Sequence, residues 1–171
     1  MGLLASFKKL FAPPTLVTTF DRLVKGEVVI EGAVRPHAED GTMPSPIKSQ
    51  PCVAFFYTAS YRSPGRQAGL TERPLRTVEV FWPFELELDG GRVEAVPRVA
   101  GAFTRDDHQK LASAGYAQFQ AVEQVVTPRT RVRLWGVAKP TADGWVVTYR
   151  RIEKLGSEKA AAGAKPGKRT R

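Results

Sequence analysis

The sequence contains little of the chemistry that cysteine and histidine supply: one cysteine, Cys52, and two histidines among 171 residues. A single cysteine excludes an intrachain disulfide and any zinc site built from several cysteines. No apolar run approaches the roughly 20 residues that a membrane-spanning helix needs. The opening apolar stretch is short, is interrupted by lysines and lacks a cleavage signal. We therefore expect a cytoplasmic protein that holds no metal and no cofactor.

Charge is abundant but unevenly distributed. The formal net charge is +9, and residues 154–171 hold six Lys/Arg and one acid, a net +5. This Ala/Gly-rich segment has no aromatic residue and cannot bury enough surface to fold, so we expect a disordered tail. Two interpretations stay open: a tether to phosphates of nucleic acid or of an anionic membrane, or a solubilising tail without a partner.

The first 14 residues predict a short amphipathic helix, because leucines and phenylalanines share one helical face and lysines lie toward the other. Pro13 and Pro14 end it. Such a helix binds a membrane interface, peripherally, or it packs on its own domain or on a protein partner. The candidate membrane-contacting residues are Leu3, Leu4, Phe7, Lys8, Lys9, Leu10 and Phe11.

Residues 15–153 read as one mainly β domain. Thr104 and Asp107 predict a capping box for one short helix that ends near Gly115. The Gly/Pro-rich segment 62–74 predicts a mobile surface loop. We expect a small antiparallel β-barrel or sandwich with this helix embedded, and an OB-like barrel is one form that it can take. The predicted strands are 27–34, 52–61, 75–82, 83–88, 92–97, 117–126, 131–139 and 145–155.

The strand that Cys52 begins is the main argument against an enzyme. It reads CVAFFY, where a free cysteine behaves as a small buried hydrophobe. His37 and His108 are the only candidate bases, and neither they nor their acidic neighbours match a nucleophile or metal-ligand pattern. A hydrolase that uses Cys52 or a serine is the least favoured function. For Glu123 two expectations stay open: its carboxylate pairs with an arginine such as Arg98, or it faces solvent.

Nucleic-acid binding is the stronger alternative. Arg129, Arg131 and Arg133 alternate along one predicted strand, followed by Trp135, and OB-type barrels bind single strands with such cations and aromatics. The competing interpretation is a solvated outer face opposite a core face of Val132 and Leu134. Acids in the segment 79–89 dilute the positive field and favour the solvated face.

A set of short motifs, in order, resembles the GIDE domain, also called BAM for "beside a membrane". The resemblance spans about residues 20–150 and implies a non-catalytic protein-binding or scaffolding module next to a membrane. Family members that are ubiquitin ligases add a Cys- and His-rich RING and transmembrane helices, which this sequence lacks. The N-terminal helix and basic tail are then expected to serve as peripheral anchors. The motif residues are Ser45, Pro46, Pro51, Cys52, Pro83, Phe84, Asp89, Glu123 and Gly136.

Overall fold

The protein folds into a closed β-barrel with a smaller sheet packed against it. The structure, a computed structural model, describes residues 14–37, 41–64 and 70–157. Its helical elements are a short 3-10 helix, Phe20–Arg22, and helix α1, Arg105–Ala112. The strands are β1 Leu16–Val17, β2 Gly26–Pro36, β3 Met43–Pro44, β4 Pro51–Cys52, β5 Ala54–Pro64, β6 Leu70–Phe81, β7 Phe84–Leu88, β8 Gly91–Pro97, β9 Gln120–Val126, β10 Thr130–Thr141 and β11 Gly144–Ser157.

Five strands close the barrel. Around its wall the order is β2, β7, β8, β11 and β10, and β10 pairs back to β2. Strands β2, β7 and β8 follow one another, whereas the β10–β11 hairpin enters between β8 and β2, with β11 parallel to β8. This Greek-key order is of the OB type. Each of the five strands pairs with a neighbour on both sides, so the expected β-barrel, OB-like in topology, is confirmed.

Alternation along the strands separates the barrel interior from its outer wall. Along β10, Val132 and Leu134 point inward and are fully buried, while Arg133 between them lies on the outside. Phe84 and Tyr149 lie in the same buried cluster with ring centroids 5.7 Å apart. Burying apolar side chains of this size contributes about 1.5–3 kcal/mol each. The core face predicted for Val132 and Leu134 is confirmed.

A β-bulge interrupts the barrel wall opposite Trp135 and Gly136, with Arg150 of β11 as the extra residue. The pairing between β10 and β11 shifts register between Trp135 and Gly136. A Cβ atom at position 136 would meet Thr148 O at 2.5 Å and Tyr149 Cα at 2.9 Å, both of them backbone atoms. The position therefore requires glycine, because backbone cannot move aside as the end of a flexible side chain can.

The smaller sheet and its cover form a second unit, here called the lobe. It comprises the sheet β6–β5–β9, the β3–β4 hairpin and α1. One face of the sheet carries Phe55, Tyr57 and Val80, which pack in a cluster with Cys52 and Phe103. The other face joins the barrel core through Ala54 and Val126. The lobe thus has its own small core.

Two sequence-based boundaries need correction. Segment 62–74 is largely strand, because β5 continues through Pro64 and β6 begins at Leu70. Strand β11 continues through residues 154–157, so these four positions belong to the barrel strand and not to the tail. The β-branched and aromatic residues of the strands outweigh the turn residues near these ends. The predicted N-terminal helix, up to residue 13, and residues 158–171 lie outside the described residues.

Candidate functional site

The loop formed by residues 45–50, between β3 and β4, is held in place by one buried carboxylate. Glu123 of β9 accepts hydrogen bonds from Ser45 Oγ at 3.0 Å and from the backbone N–H groups of Ile47 and Lys48, each at 2.9 Å. Ser45 Oγ in turn accepts a bond from Gln50 N at 3.1 Å. Glu123 therefore neither pairs with Arg98 nor faces solvent, and both sequence-based alternatives were wrong.

This network gives the 45–50 loop one defined shape. Ser45 O accepts from Ser49 N at 3.0 Å, and Ser49 adopts a positive φ of 54°. Arg105, the first residue of α1, donates from Nη1 to Ser49 Oγ at 2.9 Å. Lys48 is exposed at the tip. A rigid loop that displays polar side chains on a fixed support is a common form of binding element.

Five of the motif residues meet at this loop. Ser45 and Pro46 begin it, Pro51 and Cys52 form the strand that leaves it, and Glu123 reaches it from 78 positions beyond Ser45. Other motif residues have barrel roles. Pro83 lies between β6 and β7, Phe84 fills the core, and Asp89 O accepts from Phe20 N at 2.9 Å in the turn before β8. Gly136 lies opposite the bulge.

Cys52 is a buried residue of the lobe core. It is fully buried, and its Sγ lies 3.4 Å from Met43 O, to which it donates. Burial, and secondly the negative charge of Glu123, raises the pKa of the thiol from 9.0 to about 11. At neutral pH the group is therefore a neutral thiol and lacks the thiolate that nucleophilic attack requires. The prediction that Cys52 belongs to the core is confirmed.

Helix α1 covers the lobe with polar contacts that are structural. The predicted capping box is present: Asp107 Oδ2 accepts from Thr104 N at 2.8 Å, and Thr104 Oγ1 accepts from Asp107 N at 3.3 Å. The bonds from the Thr104 backbone and hydroxyl lower the pKa of Asp107. His108 Nδ1 is hydrogen-bonded to Tyr57 OH at 3.0 Å. The capping box thus begins the helix, and the bond between His108 and Tyr57 holds the helix on the sheet.

The predicted nucleic-acid face is divided by the structure. Arg129 precedes β10 in a turn with φ 66°, so its place on the strand face was wrong. Arg133 pairs with Glu31, with Nη2 and Oε1 2.5 Å apart. Trp135 lies on the outer wall, and the guanidinium of Arg151 stacks 4.4 Å from its ring centroid. Arg131 is exposed beside a cleft that Glu31 and Glu87 also line.

The outer face of β7 and β8 is acidic rather than basic. Glu85 and Glu87 of β7 and Glu94 of β8 point outward, as does Arg92. Arg92 pairs with Glu85 at 3.1 Å, and Glu87 pairs with Arg35 of β2. In OB-type barrels the corresponding face, second and third strands, commonly holds oligonucleotides. Its carboxylates repel phosphates and weigh against that ligand here.

The outer wall beside the bulge carries a concentration of positive charge, here called the cationic cleft. It has a volume of about 210 Å³, and its charged lining residues are Arg98, Lys139, Arg150 and Glu27. Val137 and Thr148 form part of the lining. Arg150 pairs with Glu27 at 3.4 Å, whereas Arg98 and Lys139 make no ion pair within the described part of the chain. The cleft therefore has excess positive charge.

Exposed apolar side chains lie close in the chain to this cleft. Val24 is 58% exposed and lies three residues before Glu27, and Val99, 70% exposed, follows Arg98 directly. Leu16 of β1 is 49% exposed and pairs with Val29, two residues beyond Glu27. Together with the cationic cleft these three side chains define the cleft face.

Sequence reasoning missed the cationic cleft entirely. Its residues come from β2, from the segment after β8, and from β10 and β11, and each is an ordinary surface residue in its own segment. Only the register of the barrel, Glu27 opposite Val137 and Val137 opposite Thr148, places them together. No local pattern in the sequence reports that register.

Within residues 14–37, 41–64 and 70–157, no three His, Cys, Asp or Glu side chains are grouped so that they can hold a metal ion. No helix in these ranges has the length and apolar character needed to cross a membrane. No family model, curated protein or solved structure matches the chain. The resemblance to GIDE/BAM domains therefore depends on the motif residues alone.

Proposed function

We propose that the chain is a non-catalytic protein-binding and scaffolding module that works beside a membrane, as its resemblance to GIDE/BAM domains implies. The observation that carries this proposal is the cleft face. Leu16, Val24 and Val99 expose apolar side chains at positions close in the chain to the cationic cleft, which adds positive charge. Apolar contacts with the interface combined with attraction to anionic lipids are what hold a peripheral protein on a membrane.

The N-terminal segment reinforces the same face by its position. Val29 N donates to Thr15 O at 3.3 Å, and β1 runs parallel to β2. The chain therefore enters β1 from the level of Glu27, a lining residue of the cationic cleft. Residues 3–11, with the candidate membrane contacts Phe7 and Phe11, precede β1 in the sequence. Two weak attachments next to each other give firmer binding than either alone.

The lobe is suited to contact a protein partner through the 45–50 loop. Glu123 holds this loop in one shape, and Lys48 is exposed at its tip. A fixed loop with polar side chains is a common form of binding element, and we assign it to the partner.

Two groups that enzymes often use are engaged differently in this protein. The Cys52 thiol is buried with a pKa raised to about 11, and the Glu123 carboxylate accepts bonds from the 45–50 loop. Neither is placed to attack or to protonate a ligand. These facts support a module that displays a binding loop rather than one that holds a catalytic centre.

Co-sedimentation with vesicles tests the proposed location. We expect binding at low salt to vesicles of phosphatidylcholine and phosphatidylglycerol in equal parts, and little binding to phosphatidylcholine alone. Replacing Phe7 and Phe11 by Ser should reduce binding sharply, because two large apolar contacts are lost. Removing residues 158–171 is the matched comparison, and it should chiefly make the remaining binding less sensitive to salt.

A single-stranded oligonucleotide, titrated at the same salt concentration, tests the alternative OB-like nucleic-acid binder. We expect at most weak binding that salt abolishes, because acids line the β7–β8 face. Wild-type protein that stays in the supernatant with anionic vesicles and binds the oligonucleotide tightly would overturn the membrane proposal in favour of nucleic acid.

A further inference from the structure

We propose that the cationic cleft is a binding site for the phosphate of an anionic lipid headgroup. This inference rests on the proposed function for the source of the phosphate, but the cleft itself is argued from its own residues. Arg98, Lys139 and Arg150 line one cleft of about 210 Å³ together with a single carboxylate, Glu27. A cleft of this size holds a small charged group and not a folded partner.

The charge balance of the cleft favours an anion. Three cations face one carboxylate, and the only ion pair among them joins Arg150 and Glu27 at 3.4 Å with both side chains 53% exposed. Exposed pairs of this kind contribute little to stability, so a phosphate can displace the carboxylate at little cost. Arg98 and Arg150 can each present two parallel N–H donors to phosphate oxygens, and Lys139 supplies a compact charge.

The barrel wall fixes the positions of these side chains. Arg98 N donates to Tyr149 O at 2.8 Å, which anchors the segment after β8 beside β11. Arg150 is the extra residue of the bulge opposite Trp135 and Gly136, and bulges are frequent where a strand redirects side chains toward a ligand. Paired strands β2, β10 and β11 thus hold most of the lining residues in place.

The surroundings of the cleft select a lipid over a free phosphate. Val99 follows Arg98, and Val24 precedes Glu27 by three residues, so exposed apolar side chains are close in the chain to the charged lining. A soluble phosphate gains nothing from these side chains, whereas a headgroup in a bilayer brings an apolar interface with it. Arg35 and Arg92, further along the barrel, are already paired with Glu87 and Glu85.

A charge-matched pair of double variants tests the site. Replacing Arg98 and Lys139 by Glu should weaken binding of the full chain to the anionic vesicles by roughly tenfold or more. Replacing Arg62 and Arg73 by Glu, exposed residues on the β5–β6 ribbon, makes the same change in net charge at a distance from the cleft. This control should bind nearly as well as wild type. An equal loss of vesicle binding in both variants would mean that total charge alone drives binding, and it would overturn the proposed headgroup site.

A titration with inorganic phosphate, followed by the backbone amide signals of the full chain, separates this inference from the proposed function. Shifts confined to residues 98, 136–139 and 148–150, absent in the Arg98→Glu, Lys139→Glu variant, would support a phosphate site. If they occurred while wild-type protein ignored the vesicles, the lipid source would be wrong and the ligand a soluble phosphate. A third outcome is that the cleft variant binds vesicles as wild type does and that phosphate causes no shifts. The proposed membrane location would then stand, and the proposed phosphate site in the cleft would be overturned.

Discussion

The barrel and the lobe treat charged side chains in opposite ways. On the barrel wall, Glu31 and Arg133, and likewise Glu85 and Arg92, form ion pairs on the outside while the interior is apolar. In the lobe, Glu123 is 9% exposed and bonds only to uncharged donors. An exposed pair contributes little to stability and can be exchanged for a ligand. A buried carboxylate cannot be removed without leaving its partners unsatisfied. The comparison assigns reversible charge contacts to the barrel wall and permanent ones to the lobe.

The largest effect should come from the barrel core. Phe84→Ala removes a fully buried ring that packs against Tyr149, and should lower the free energy of unfolding by about 3–5 kcal/mol. Denaturant unfolding measures this loss, and Val99→Ala, at an exposed position, should leave stability within about 0.5 kcal/mol of wild type. A loss below about 1 kcal/mol for Phe84→Ala would mean that the barrel does not hold the fold together.

A pH dependence should follow from the lobe core. The folded pKa of Cys52 is raised from 9.0 to about 11, so between these values the unfolded chain loses a proton that the folded protein keeps. The contribution of this group to the free energy of unfolding is therefore fully present below pH 9. It decreases as the pH rises to 11, by at most about 3 kcal/mol. Burial also raises the pKa values of Tyr57 and Tyr149, so they contribute in the same direction.

Thiol labelling and a Cys52→Ala variant separate the cysteine from the tyrosines. The variant should show a smaller decrease between pH 9 and 11, because only the tyrosines remain. Labelling of native protein at neutral pH should be slow and limited by opening of the lobe. Labelling as fast as that of a free thiol in the folded state would contradict the assignment of Cys52 to the core.

An intermediate effect is expected at Glu123. Glu123→Gln keeps the size of the side chain but places an amide NH₂ among the donors from Ser45, Ile47 and Lys48. We expect a loss of about 1–3 kcal/mol and faster hydrogen exchange at the Ile47 and Lys48 amides. Glu79→Gln, at an exposed position of β6, is the matched control. If both variants behave alike, the carboxylate does not hold the 45–50 loop.

Part of this arrangement could be predicted from the sequence, and part could not. Alternation and β-branched residues predicted most strands, and Thr104 with Asp107 predicted the capping box, because these signals lie within a few residues. Barrel closure depends on contacts such as Arg133 with Glu31, 102 positions apart. Glu123 reaches Ser45 across 78 positions. Neither partner carries a local signal of the other, so sequence reasoning left Glu123 open and missed the cationic cleft.

The smallest effect should come from the barrel wall. Arg92→Ala breaks the pair with Glu85, in which the Arg92 side chain is 58% exposed, and should change stability by less than about 0.5 kcal/mol. Thermal unfolding measures this difference against wild type. A loss comparable with that of Glu123→Gln would remove the distinction between exchangeable charge contacts on the barrel and permanent ones in the lobe.

Hydrogen exchange of the full chain, with and without vesicles of phosphatidylcholine and phosphatidylglycerol in equal parts, tests the proposed location most directly. We predict that vesicles slow exchange along the cleft face, in residues 14–27, 97–100, 136–139 and 148–150. The amides of the 45–50 loop should exchange as they do in free protein, since the loop is left for a partner. Protection that appears on the 45–50 loop or on the β7–β8 face, and not on the cleft face, would contradict this account.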